Sequence, residues 1–122
     1  MKFQIAIVLM MLLGGGRVMA QDTMEKDVIK TSAGELEMTF IGHGSLMMSF
    51  GGKSIQVDPY GQLADYSKLP KADLIFLTHD HPDHLDPAAL RSIRTTNTVV
   101  VLPPVCAGKV TGGTVMTNGD AR

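Results

Sequence analysis

The chain has 122 residues, of which 44% are hydrophobic and 19% charged, and 11 Lys and Arg stand against 12 Asp and Glu for a formal net charge of −1. That balance fits one globular domain at most and excludes a chain too polar to fold; with no basic run, it also gives no reason to expect a nucleic-acid partner. The single cysteine, Cys106, excludes an internal disulfide and reads as a buried, inert thiol.

In chain order, residues 1–20 read as a signal peptide. Lys2 supplies the charge and Phe3 to Leu13 the apolar stretch, broken only by Gln4. Gly14-Gly15-Gly16 then ends any helix, and Val18-Met19-Ala20 offers small residues for cleavage near Ala20. The apolar stretch is too short to span a bilayer, so export to the periplasm or medium without a stable membrane anchor is the expectation. Residues 21–33, with Asp22, Glu25, Lys26, Asp27 and Lys30, read as a polar leader.

The domain is expected over 34–122. Leu36, Met38 and Phe40 alternate with Glu37 and Thr39, which predicts a strand with one buried face. Gly42-His43-Gly44 interrupts it. Leu46 to Phe50 and Ser54 to Val57 predict two more strands around a Gly51-Gly52 hairpin turn, and Asp58-Pro59-Tyr60-Gly61 ends the meander. A polar link, 62–71, precedes Leu74 to Leu77, a buried strand. Asp86 as N-cap and Pro87 at the first helical position predict a helix to about Ile93. Thr98 to Leu102 reads as a buried parallel strand, a short helix is expected around Val105 to Val110, and Thr114 to Met116 fits a last strand. The class is α/β. A strand–helix–strand unit needs a layer on both faces of its sheet. No closing element follows the Asn118-Gly119 turn, so the expectation is the N-terminal half of a larger domain.

Between the buried strand and the helix lies Thr78-His79-Asp80-His81-Pro82-Asp83-His84, which holds all but one of the four histidines. Imidazole and carboxylate are ligands for borderline divalent metals such as zinc. In an extended segment residues i and i+2 share a side, so His79 and His81 can reach one ion. Asp83 and His84, beyond the Pro82 turn, suit a second. Two neighbouring ions lower the pKa of a shared water toward neutrality, which yields a nucleophile for an ester, lactone, amide or phosphoester bond. Asp80 reads as a solvated carboxylate.

The stretch Leu77 to His84 resembles the signature of the metallo-β-lactamase fold superfamily. Upstream, Phe40-Ile41-Gly42-His43-Gly44-Ser45 and Ile55-Gln56-Val57-Asp58-Pro59-Tyr60 resemble its L-ascorbate-6-phosphate lactonase-like branch. The resemblance implies an αββα sandwich and a dinuclear site, usually zinc, with manganese or iron as alternatives. His79 and His81 would hold the first metal, Asp83 and His84 the second, and Asp83 would serve as the catalytic carboxylate. It further implies that Asp58 supports the metal loop by hydrogen bonding and that His43 contacts substrate or backs a ligand. The family's later ligands, two histidines and a bridging aspartate, find no match after His84. The chain alone is therefore expected to be inactive or nearly so. The alternatives are a non-catalytic remnant and a half-domain completed by a second polypeptide.

Overall fold

A computed structural model describes residues 24–122; the proposed signal peptide lies outside the described residues. Strands β1 (Glu25–Thr31), β2 (Gly34–Gly42), β3 (Ser45–Phe50) and β4 (Lys53–Val57) form an antiparallel meander. Strands β5 (Leu74–Phe76), β6 (Val99–Leu102) and β7 (Thr114–Val115) continue it in parallel, giving one seven-stranded mixed sheet in chain order. Helix α1 (Pro87–Ile93) links β5 to β6, and single 3-10 turns form at Tyr66–Lys68 and Pro104–Cys106. Among the described residues no helix is long and apolar enough to cross a membrane.

The register fixes two faces, because paired residues on adjacent strands point to the same side. Thr39, Met47, Gln56, Ile75 and Val100 form one row beneath α1. Ile75, Val100 and Leu102 pack there with Ala89, Leu90 and Ile93, and Tyr66, Leu85 and Cys106 close the core. The opposite face carries Phe40, Leu46, Val57, Phe76 and Val101 in one row and Met38, Met48, Ile55, Leu74 and Val99 in the next. It is left open, with Phe40 41%, Phe76 37% and Val99 50% exposed.

Three expectations change. Residues 25–31 are not a leader: β1 pairs with β2 from Glu25 opposite Phe40 to Thr31 opposite Gly34, with a Lys26–Glu37 ion pair of 2.7 Å. Both faces of β1 are exposed, so backbone pairing holds it without any apolar alternation to read. In β2 the buried residue is Thr39, not the Leu36, Met38 and Phe40 set, because the helical layer lies on the Thr39 side. The helix expected around 105–110 is a single 3-10 turn followed by hydrogen-bonded turns.

Helix α1 begins as its cap predicts. Asp86 Oδ1 accepts from the amides of Ala88 (2.8 Å) and Ala89 (3.2 Å), with Pro87 at the first position. Its Oδ2 accepts from Gly61 N at 2.9 Å and so staples the loop after β4 to the helix. Burial pushes the Asp86 carboxyl upward, but the amides of Gly61, Ala89 and Ala88 outweigh it and hold the pKa below the ordinary range.

Candidate metal centre

The carboxylate of Asp58, at the end of β4 and 2% exposed, organises the site. Asp58 takes a φ of +43°, and its amide is bonded to Phe76 O at 3.0 Å, which ties the turn to β5. The Ser45 hydroxyl donates to its carbonyl at 2.6 Å. Asp58 Oδ1 accepts from Thr78 N at 2.8 Å; Oδ2 accepts from the Thr78 hydroxyl at 2.5 Å and pairs with His84 Nδ1 at 2.8 Å.

These bonds set the tautomers. A carboxylate only accepts, so His84 Nδ1 carries the proton and Nε2 is left with a lone pair for a metal. The Thr78 hydroxyl spends its proton on Asp58, so His79 Nδ1, 2.8 Å away, donates to it and His79 Nε2 is likewise free. One buried carboxylate thus aims two imidazoles, one directly and one through a threonine.

The loop is turned by the carbonyl of His81, which accepts from His84 N (3.0 Å) and Leu85 N (2.8 Å) just after Pro82. It gathers the rings of His79 and His84 with centroids 4.0 Å apart and those of His79 and His81 at 4.6 Å. Gly44 makes room for this: a Cβ there would lie 2.6 Å from His84 Cε1. Among the described residues two three-donor groups result, His43–Asp83–His84 and Asp58–His79–His84. His81 belongs to neither, although it sits beside His79. Both Asp58 carboxylate oxygens are engaged by Thr78 and His84.

Asp83 has its pKa lowered, first by its own backbone amide and then by the hydrogen bond from His43, which together outweigh partial burial. Asp80 turns away from the cluster to Lys109 Nζ at 2.6 Å, and that bond holds its carboxyl below the ordinary range. Cys106 is fully buried and burial pushes its thiol up, which fits the inert role. Sequence reasoning missed Thr78, Gly44 and Ser45. A hydroxyl placed between a buried strand and the first histidine was the available signal for Thr78; Ser45 and Gly44 act only across strands.

The family model of the β-lactamase superfamily domain matches residues 37–119. The chain belongs to the metallo-β-lactamase superfamily. It is 42% identical over 73 residues to a UPF0173 metal-dependent hydrolase of Flavobacterium johnsoniae, covering 54% of this chain and 31% of that one. A counterpart from Caldivirga maquilingensis is 34% identical over 67 residues, or 52% of this chain and 30% of the other. A crystal structure from Parabacteroides distasonis, assigned as a metal-dependent hydrolase, superposes with a TM-score of 0.77 at 45% identity, over 80% of this chain and 44% of that one. The chain therefore spans about a third of the length of the curated relatives it matches.

Proposed function

We propose that this chain carries the ligand loop of a metal-dependent hydrolase. In this reading His79 and His81 serve one ion and Asp83 and His84 an adjacent one, with zinc the first candidate. Two imidazoles presenting free Nε2 atoms beside a carboxylate are a donor set that zinc, manganese or iron accept. The observation that carries the proposal is the Asp58 carboxylate, bonded to His84 and, through Thr78, to His79. Structural polar loops have no need of a buried carboxylate that fixes two histidine tautomers.

Bound metal supplies Lewis acidity and lowers the pKa of water. The chain's own residues do the rest. Asp58 holds the protons on the inner nitrogens of His84 and, via Thr78, His79. Asp83, whose carboxyl its own backbone amide and the His43 hydrogen bond hold below the ordinary range, offers a carboxylate at the open edge of the cluster. Esters, lactones, amides and phosphoesters are the substrate classes this chemistry serves.

The same proposal takes the sheet to be one layer of an αββα sandwich. Its open face is apolar from Leu36 and Phe50 across to Val99 and Val101, the composition of a surface that packs against another layer. Export after cleavage near Ala20 is a separate part of the proposal, checked by N-terminal sequencing of the protein recovered from its host.

The test is turnover of lactone, phosphodiester and β-lactam reporters by the chain with zinc added, against His79→Ala and Asp83→Ala. A rate above both variants supports the hydrolase; equal rates in all three sink it for this chain. A second reading, a metal-binding module without turnover, is favoured by one observation. Among the described residues His81 joins no three-donor group, whereas catalytic zinc usually has three protein ligands and a water. Zinc binding without hydrolysis would select it.

A further inference from the structure

The two-by-two assignment gives His43 no metal to bind, yet its backbone is unusual. At φ +50° it is a non-glycine residue in the left-handed region, between Gly42 and Gly44. It follows the register irregularity between Phe40 and Gly42 in the β2–β3 ladder, and such bulges re-aim side chains. The outcome is that His43, forty residues from the metal loop in sequence, places Nε2 2.8 Å from Asp83 Oδ2. The same carboxylate oxygen lies 3.8 Å from His84 Nε2. The His43 and His84 rings lie 5.0 Å apart between centroids, tilted at 54°.

Two donors on a tetrahedral ion with bonds of about 2.0–2.1 Å stand about 3.3 Å apart. The observed 2.8 and 3.8 Å bracket that separation, so small side-chain adjustments bring all three donors onto one ion. His84 enters the set already oriented, since its Nδ1 is held by Asp58. The competing trio of Asp58, His79 and His84 lacks a free carboxylate, because both Asp58 oxygens are engaged. His43 and Asp83 are about half exposed, which leaves the outer side of the site open to water.

Resting on the metal-dependent reading above, we propose that His43 is a direct metal ligand, forming with Asp83 and His84 a two-imidazole, one-carboxylate site for a single ion. That ion then has three protein ligands, all from this chain. His79 and His81 remain a separate and weaker pair. A ligand role and a merely supporting one make different demands: an amide can replace a histidine that hydrogen-bonds to Asp83, but not one that binds a metal.

The test is a cobalt(II) titration of the full chain, followed by the ion's visible d–d absorption. It compares wild type with His43→Ala, His43→Gln and the double variant His79→Ala/His81→Ala, all screened for folding by circular dichroism. The proposal expects both His43 variants to lose about 100-fold or more in affinity, beyond the 10- to 100-fold typical of a lost supporting group, and to lose the wild-type band. It expects the double variant to keep that band. Nitrogen-15 histidine NMR of the wild type with zinc gives a reading that needs no variant: His43 Nε2 shifts to a metal-bound position. If His43→Gln binds as wild type does, or His43 Nε2 stays protonated with zinc present, the assignment to His43 is overturned while the metal reading stands. If the wild-type chain gives no band at millimolar cobalt, the metal reading fails, and this inference with it.

Discussion

The two faces of the sheet have opposite compositions and opposite fates. On the α1 side the antiparallel half carries the row Thr39, Met47 and Gln56. Thr39 and Gln56 are buried there with the site's supports Ser45 and Asp58, while Glu37 is half-buried and Ser49 exposed. On the other side the rows from β2 to β6 are apolar except at Lys53, β1 adds Glu25 and Asp27 beside Ile29, and Phe40, Phe76 and Val99 stand exposed. Strands β5 and β6 are apolar on both faces, the pattern of doubly covered strands. Yet only the side of Ile75, Val100 and Leu102 is buried, and Phe76 and Val99 on the other side are exposed, against the expectation of fully buried strands. Burial on these strands follows the helical layer: Thr39 and Gln56 on the α1 side are buried, whereas Phe40 and Val99 on the other are exposed.

The largest expected effect contrasts neighbours on β5. Ile75 is fully buried under α1 and Phe76 is 37% exposed on the open face. Ile75→Ala should cost about 2–5 kcal/mol of unfolding free energy, and Phe76→Ala about 1 kcal/mol or less. Urea denaturation of the two variants decides it; equal costs would mean that the open face is covered in solution.

Next come the supports of the site. Asp58→Asn keeps the size of the side chain but removes the acceptor that fixes His84, and Gly44→Ala drives a methyl into the same ring. Each should weaken zinc binding by roughly 10–100-fold, read by calorimetry. Unchanged affinity in both would detach the covered face from the metal loop.

Smaller still is the effect at Gln56, fully buried on the covered face with no hydrogen-bond partner for either side-chain polar atom. Gln56→Met should leave stability unchanged or raise it by about 1 kcal/mol, since an unpaired amide is costly to bury. A melting temperature lowered by several degrees would show that the amide has a partner in solution.

The smallest effect is one of pH. The Asp86 pKa is depressed in the fold, so its stabilisation is complete above the ordinary carboxylate pKa of 3.8 and is lost as pH falls through the folded value. Asp86→Asn should therefore flatten the acid limb of the stability curve below about pH 4 and change stability at neutral pH by about 1 kcal/mol or less. An acid limb identical to wild type would remove Asp86 from the account.

Much of the site was legible because its determinants are local. The Asp86-Pro87 cap and the Gly51-Gly52 turn act within a few residues and formed as the pattern implied; the loop brings His79 and His84 together, but His81 joins no three-donor group among the described residues. The family motif pointed to Asp58 as a residue of the site, and the structure places its carboxylate against Thr78 and His84. Strand β1 was not, because charged residues exposed on both faces leave backbone hydrogen bonds as its main support. The buried side of β2 was not either, since which face receives α1 is decided by chain segments forty residues and more away. His43 lay between: the glycines flanking it announced a turn, but its meeting with Asp83 exists only in three dimensions.

The central claim is that the Asp58-supported loop holds a metal through imidazole nitrogens. X-ray absorption of the zinc-loaded chain tests it most directly. The first shell should contain at least two imidazoles at about 2.0–2.1 Å, lost on His84→Ala. A shell of water oxygens alone, the same in wild type and variant, would contradict it.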